Sequence, residues 1–225
     1  MTLKNIDLRK YIKNENISKM KIYQIRTISD SRYAHIHAQM GQDVSMGERI
    51  KVTWDNYLAK GNMISDFCYS SYIICLRSIA LDLTSKYNGL AYIELLWDKN
   101  PLEIISKDKK RLKWLPKEDV DYVHLISPIE IPVLDISTVK YESSVINGKP
   151  CITEILGASE YSLSERKTSE RKPHMGLFIE SARVENYDFF RPINTPILLC
   201  KESVKNDLIN KQYTNLIFLE VGEVV

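Results

Sequence analysis

The stretch from Ser65 to Trp97 constrains the fold most, because it reads as a helix followed directly by a strand. Apolar residues recur there at helical spacing, at Cys68, Tyr72, Cys75, Leu76, Ile79 and Leu83. Ser65 can act as the N-cap, and Asn88-Gly89 supplies a stop signal. Leu90 to Trp97 is a nearly continuous apolar run, which is typical of a buried strand. We therefore expect a helix over residues 65–87 that covers a sheet containing residues 90–97.

Further elements follow from the same kinds of pattern. Residues 122–136 are rich in β-branched side chains but contain two prolines, which favours a strand at a sheet edge or a connecting segment. Asn147-Gly148 favours a tight turn, so residues 139–155 are predicted to form a β-hairpin. Residues 160–172 carry almost no apolar side chain after Leu163 and are predicted to be an exposed loop or a solvated helix end. Residues 196–221 read as strand, short helix and strand.

Together these elements predict an α+β fold. We expect a mixed, largely antiparallel β-sheet covered by one long helix and a smaller C-terminal helix. The length of 225 residues fits one domain over residues 1–225. Residues 1–60 are ambiguous, since Ile22, Ile25 and Ile28 fit either a strand or a short helix. This segment is expected to be part of the domain, an N-terminal extension or a subdomain.

Charge and composition limit the classes of partner. The 31 Lys and Arg residues nearly balance the 29 Asp and Glu residues, so no global field favours nucleic acid or an anionic membrane. The longest apolar window, Tyr72 to Leu83, is too short to span a bilayer, and the N-terminus has no secretory pattern. The four cysteines form no CxxC pair and are predicted to be buried free thiols. We expect a cytoplasmic protein without a membrane partner.

A search for chemical motifs finds no recognisable catalytic or cofactor signature. With 8 glycines the chain contains neither GxGxxG nor a phosphate-binding GxxxxGK[ST] loop, and GxSxG and HExxH are missing as well. We expect no enzyme activity, no cofactor and no small-molecule ligand. His35 and His37 are weak metal candidates, because two histidines at i and i+2 can share an ion but no third ligand follows in sequence.

Two alternative functions depend on particular residues. A nuclease or other hydrolase would use His35 or His37 together with the basic run Lys107 to Lys113 as a phosphate-binding segment. A non-catalytic nucleic-acid-binding protein would use the same basic run. A solvated loop or helix face is the more common role of so short a run, so nucleic acid is not the expected partner. Its residues Lys109, Lys110 and Arg111 are nevertheless weak candidates for partner binding.

The C-terminal part carries a resemblance to a known group of proteins. Its features are the segment Tyr187-Asp188-Phe189-Phe190-Arg191-Pro192, the strand at 196–200, the helix after Glu202 and the strand at 216–221. This pattern resembles the end of bacterial immunity proteins of polymorphic toxin systems, in the immunity families numbered eleven and forty-three. Asn215 stands where those families often have a glycine, and Asn tolerates the left-handed backbone almost as well.

The resemblance implies a function. It implies a cytoplasmic protein that binds a cognate bacterial toxin domain in a stoichiometric complex and so neutralises it. No enzyme chemistry is then required. Such complexes depend on a few aromatic and arginine anchors, which makes Tyr187, Phe189, Phe190 and Arg191 weak candidates for partner binding.

Overall fold

The structure is a computed structural model, and its regular structure is mostly β, with 44% of residues in strands and 15% in helices. It describes residues 20–38, 49–55, 61–98, 116, 120–132, 140–146, 149–156, 158–172 and 175–225. In chain order the strands are β1 (Lys21–Thr27), β2 (Ile36–Ala38), β3 (Lys51–Trp54), β4 (Phe67–Cys68), β5 (Ile74–Leu76), β6 (Ala91–Glu94), β7 (Leu96–Trp97), β8 (Tyr122–Ile126), β9 (Glu130–Ile131), β10 (Lys140–Ile146), β11 (Lys149–Leu156), β12 (Tyr161–Ser162), β13 (Lys167–Thr168), β14 (Leu177–Ile179), β15 (Phe189–Pro192), β16 (Leu199–Lys201) and β17 (Leu216–Val224). The helices are α1 (Arg77–Lys86), α2 (Ser181–Val184) and α3 (Glu202–Asn210).

The strands form one larger sheet and several small ones. The larger sheet has six strands in the order β14-β17-β1-β16-β15-β9, with β1 antiparallel to both of its neighbours. A four-stranded sheet has the order β4-β5-β8-β6, and a three-stranded sheet has the order β2-β3-β7. Two antiparallel hairpins, β10–β11 and β12–β13, complete the described strands. The ambiguous N-terminal pattern therefore contains a central strand, β1.

The six-stranded sheet is buried on both faces because its strands are apolar on both sides. Tyr23 and Ile25 of β1 belong to a core that also contains the apolar faces of α1 and α3. Ile22 belongs to a second core on the other face, with Ile155 of the β10–β11 hairpin. Gln24 and Arg26 alternate with Tyr23 and Ile25 along β1, so these two polar residues share the face of Ile22.

The predicted helix over 65–87 is wrong in its first half. Residues 67–68 and 74–76 are the short strands β4 and β5, and α1 begins only at Arg77. The backbone of Ile74 to Leu76 pairs with β8, so a tertiary partner replaces the helical hydrogen bonds. Short, fully buried strands give apolar spacings that periodicity cannot distinguish from a buried helix. The end of the helix is confirmed, with Gly89 in the left-handed region at a φ of 85°.

The predicted fold class is also wrong, because the helices are short and no single long helix covers a sheet among the described residues. Instead, α1 packs on the four-stranded sheet and α3 packs on β1 and β16 of the six-stranded sheet. The two helices are linked by the ion pairs Lys86–Asp207 and Lys211–Asp82. Within the described residues, no helix is long and apolar enough to cross a membrane.

Several predictions of local structure are confirmed. The hairpin around Asn147-Gly148 forms as β10–β11, although those two residues lie outside the described part. The C-terminal strand, helix and strand form as β16, α3 and β17. Asn215, between α3 and β17, has the expected left-handed backbone at a φ of 62°. Cys68, Cys75 and Cys200 are buried free thiols, and burial raises the pKa of Cys68 to about 12.

The polar segment 160–172 is exposed over residues 163–170, as predicted, but it is neither a plain loop nor a helix end. It forms the short hairpin β12–β13 and then places the Arg171 side chain, 10% exposed, against the sheet. The Arg171 guanidinium contacts Glu220 at 2.8 Å and Glu223 at 2.6 Å, and it donates to the carbonyl oxygen of Met175 at 2.7 Å. Glu220 also accepts from Lys21 at 3.0 Å. The segment is thus anchored to the six-stranded sheet by a nearly buried ion cluster.

Candidate functional site

A polar cleft lies where the six-stranded sheet, the β2-containing sheet and the β10–β11 hairpin meet. It consists of two cavities of about 420 and about 390 Å³, which share the lining residues Arg26, Thr27, Tyr69 and Glu154. We call both cavities together the hairpin cleft. Volumes of this size are in the range of ordinary ligand pockets, roughly 300–1,000 Å³. The hairpin cleft is therefore large enough to receive a group from another molecule.

An ion pair crosses the middle of the hairpin cleft. The Arg26 guanidinium at the end of β1 contacts the Glu154 carboxylate on β11, and both side chains keep part of their surface in solvent. This contact fixes the hairpin against the six-stranded sheet next to Ile155, which enters the core. A partly exposed pair of this kind contributes little to stability, about 0–1 kcal/mol. Breaking this ion pair so that Arg26 and Glu154 contact a partner therefore costs little free energy.

The wall opposite the hairpin is held by hydrogen bonds and ring contacts. Thr27 Oγ1 donates to the carbonyl oxygen of Ser70 at 3.3 Å. The Tyr72 ring lies edge-on to His124 with ring centroids 5.3 Å apart. Burial lowers the pKa of His124 to about 3, so this imidazole behind the wall is neutral near pH 7. The wall therefore receives no charge from His124.

Each half of the hairpin cleft is lined by a buried polar residue with an unpaired atom. Gln24 is 6% exposed and lines the larger cavity, and its Oε1 has no partner among the described residues. Ser159 is 7% exposed and lines the smaller cavity, and its Oγ has no described partner either. Buried polar atoms are nearly always hydrogen-bonded in folded proteins. Such atoms also occur at His35, Ser65, His124 and Asn215, so they are not specific to the cleft.

The charges and the rim of the hairpin cleft indicate which kind of guest it can bind. The carboxylates of Asp55, Glu154 and Glu160 line it, against one guanidinium, that of Arg26. Leu163, at the rim of the smaller cavity, is 63% exposed. An acceptor-rich interior with an exposed apolar rim fits a guest that donates hydrogen bonds and covers apolar surface.

The two candidate histidines occupy different environments. His37 on β2 is exposed and lines the larger cavity, where Asp55 is also found. His35 is buried, its Nε2 lies 3.3 Å from the carbonyl oxygen of Asp30, and its ring packs on Tyr69 at 4.9 Å. His35 lines neither cavity. Within the described ranges, no group of three metal-ligating side chains is close enough to hold a metal ion.

The C-terminal candidates for partner binding lie mostly in the interior. Phe189 and Phe190 are fully buried and belong to the two cores on opposite faces of the sheet. Arg191 is buried as well, donates to the carbonyl oxygens of Ser127 and Thr195 at 2.9 and 3.0 Å, and pairs with Glu130 at 2.7 Å. Tyr187 is partly exposed. Only Tyr187 of these four offers substantial surface to a partner in this conformation.

The basic candidates are not located by the structure. Lys109, Lys110 and Arg111, with the whole run Lys107 to Lys113, lie outside the described residues. Whether this run approaches His37 therefore stays a prediction.

Comparisons with known proteins add no assignment. The chain matches no protein-family model, and no curated protein is significantly similar to it. The resemblance of residues 187–221 to immunity proteins therefore stays a prediction.

Of the described residues that line the hairpin cleft, His37 alone was singled out from the sequence as a candidate site residue. The available signal is in β1, where Gln24 and Arg26 interrupt an otherwise apolar strand on one face. Polar residues inside a strand that is buried on both sides need a specific partner or a specific use. That signal identifies β1 but not Glu154 or Tyr69, which reach the cleft only through the tertiary fold.

Proposed function

We propose that this chain is a binding protein that neutralises a cognate toxin domain, and that the hairpin cleft is its contact surface. The observation that supports the proposal is the composition of the cleft, in which carboxylates surround the Arg26–Glu154 ion pair and exposed leucines lie at the rim. A partner that presents cationic or hydrogen-bond-donating groups fits these carboxylates.

The free energy of binding gains from this arrangement. A hydrogen bond to a charged group contributes about 1.5–3 kcal/mol, and the carboxylates of the cleft can accept such bonds from a partner. Carboxylate oxygens only accept hydrogen bonds when ionised, so the partner must supply donors. Main-chain N–H groups and the side chains of Lys, Arg, Asn and Gln are donors that a protein partner presents.

The rim favours a protein partner over a small molecule. Leu156 and Leu163 line the smaller cavity and remain exposed. A guest confined to the cavity leaves these leucines in water, whereas a protein surface covers them. Burial of apolar side chains around a few polar contacts is the usual anatomy of a protein interface.

The charges favour a basic contact surface on the partner. Among the described lining residues, three carboxylates, those of Asp55, Glu154 and Glu160, outnumber one arginine. Complementary charge raises the association rate and makes it sensitive to salt. We therefore expect the association rate to fall as ionic strength rises.

The proposal that the partner is a toxin rests on the resemblance of residues 187–221 to immunity proteins. Co-expression with the toxic domain encoded immediately upstream of the gene tests it. We expect cells to survive and a one-to-one complex to co-purify. Loss of viability together with no detectable complex would contradict the proposal.

The contact surface is tested with a matched pair of leucines. Leu163→Asp places a charge at the cleft rim, and we expect at least tenfold weaker toxin binding by calorimetry. Leu81→Asp is the control, because Leu81 is exposed on α1 and lines neither cavity. Equal binding by both variants would show that the toxin contacts another surface.

A hydrolase is the second candidate, because His37 and Asp55 line the same cavity. A histidine and a carboxylate in one cleft are the groups that general acid–base catalysis uses. Assays with phosphate and carboxylate esters test this candidate. It requires a hydrolytic activity that His37→Ala abolishes without lowering the melting temperature.

A further inference from the structure

The β10–β11 hairpin has one edge that faces the protein and one that does not. On the inner side, Ile152 of β11 donates its N–H to the carbonyl oxygen of Asn194 at 3.3 Å, and Glu154 contacts Arg26. On the outer side, β10 pairs with no described strand except β11. An edge strand with free N–H and C=O groups is a template for pairing with another strand.

The outward backbone groups of β10 can be identified from the register. Val145 lies opposite Pro150, which has no N–H, so these two residues form a non-hydrogen-bonded pair. The Thr153 hydroxyl donates to the carbonyl oxygen of Glu142 at 3.4 Å, so the carbonyl of Glu142 faces β11. Because backbone direction alternates along a strand, the N–H and C=O groups of Tyr141, Ser143 and Val145 point outward.

The side chains of these positions form an exposed apolar pattern. Tyr141 is 45% exposed and Val145 is 72% exposed, and they lie on one face of the hairpin because their spacing is even. Lys140 and Glu142 lie on the other face. Neither Tyr141 nor Val145 lines the hairpin cleft. This edge is thus a second surface, separate from the proposed toxin contact.

We propose that β10 pairs with β10 of a second copy of this chain, antiparallel and centred on Ser143. In this register Ser143 meets Ser143 of the other copy, and Tyr141 meets Val145. Each of these pairs exchanges both N–H···O bonds, because all three residues direct their backbone groups outward. The strand is therefore complementary to itself in both its backbone and its side chains.

Two physical effects favour this pairing. Each aromatic and β-branched cross-strand pair is stabilising, and the two-fold axis creates two such pairs. A two-stranded hairpin is marginal in water, whereas four paired strands with an apolar stripe support one another. The contact is small, so the association is expected to be weak and reversible, as for interfaces below about 1,200 Å².

Single cysteines test the register in the full chain. In a background with Cys151→Ser, we expect Ser143→Cys to give a disulfide-linked dimer on mild oxidation. Hydrogen-bonded partners have Cα atoms about 5.5 Å apart, within the range of about 4.4–6.8 Å that a disulfide spans. Val145→Cys is the control. In the proposed register residue 145 faces residue 141 of the other copy, so the two residues 145 lie four positions, or about 14 Å, apart.

The results of this experiment distinguish a second copy of the chain from a toxin strand as the partner of β10. Cross-linking of the Ser143→Cys variant at least tenfold faster than that of the Val145→Cys variant supports the proposal. Equal rates, or a faster reaction of the Val145→Cys variant, overturn the register. A chain that stays monomeric up to several hundred micromolar in sedimentation equilibrium overturns the pairing itself, and a toxin strand on this edge is then the alternative.

Proline substitutions give an independent measurement. Ser143→Pro removes an outward N–H and leaves the β10–β11 pairing intact, so we expect at least tenfold weaker dimerisation with an unchanged circular dichroism spectrum. Unaltered dimerisation of this variant contradicts the proposal. Toxin binding by Ser143→Pro is expected to be unchanged, which keeps this test separate from that of the hairpin cleft.

Discussion

The six-stranded sheet and the β10–β11 hairpin are built from similar strands but use them differently. In the sheet, β1 and β15 place large apolar side chains on both faces and both faces are covered. In the hairpin, the described side chains of β10 are exposed, and contact with the sheet is made by β11 through Glu154 and Ile155. We therefore expect the sheet to supply most of the stability, and we propose that the hairpin supplies recognition surface.

The largest expected effect compares one side chain from each region. Phe189→Ala removes a fully buried ring that packs edge-on to Tyr87 at 5.6 Å, and we expect a loss of roughly 3–5 kcal/mol in the free energy of unfolding. Val145→Ala removes exposed atoms of the hairpin, and its effect is expected to stay within about 0.5 kcal/mol. Urea denaturation measures both. Similar losses would show that the hairpin belongs to the same core.

The second prediction compares two arginines. Arg171→Met removes the guanidinium that contacts the nearly buried carboxylates of Glu220 and Glu223, while Lys21 still contacts Glu220. We expect a loss of about 3 kcal/mol, at the low end of values for broken buried pairs. Arg183→Met breaks a more exposed pair with Glu180, which contributes about 0–1 kcal/mol. The same denaturation experiment applies. A small effect of Arg171→Met would mean that β12–β13 is not anchored by its charges.

The third prediction concerns pH and the wall of the hairpin cleft. His124 stays neutral in the folded protein down to a pKa of about 3, whereas an unfolded histidine takes up a proton near pH 6.5. The unfolded state therefore binds more protons between these values, and stability falls as pH falls, by at most about 1.4 kcal/mol per pH unit.

His124→Leu removes this contribution, so its unfolding free energy is expected to fall less steeply between pH 6.5 and pH 4. His37→Leu is the control, because His37 is exposed. The quantity to compare is the slope of unfolding free energy against pH. Equal slopes in the two variants would mean that His124 is not the group responsible.

The parts of the fold that sequence predicts are those with strong local signals. The periodicity of Val204 and Leu208 in α3 and the Asn147-Gly148 turn each specify an element without help from distant residues. Residues 67–76 could not be predicted in this way. β5 forms because it pairs with β8, which lies about fifty residues later in the chain, and β4 pairs in turn with β5.

The candidate site was less predictable than the fold. The aromatic residues Phe189 and Phe190 are suited to an interface by their type alone, but strand alternation places each in a core. The hairpin cleft combines Arg26, Tyr69 and Glu154, which are far apart in sequence. Their meeting depends on how separate sheets are arranged, and no local pattern encodes that arrangement.

The position of β1 between β16 and β17 has a consequence for how the protein is made. Tyr23 pairs with Cys200 on one side and with Glu220 on the other. At a synthesis rate of about 5–20 residues per second, the ribosome needs roughly 10–40 s after making β1 to deliver both neighbours. During that interval β1 lacks both of its neighbours in the sheet, and the sheet can close only after β17 has been synthesised.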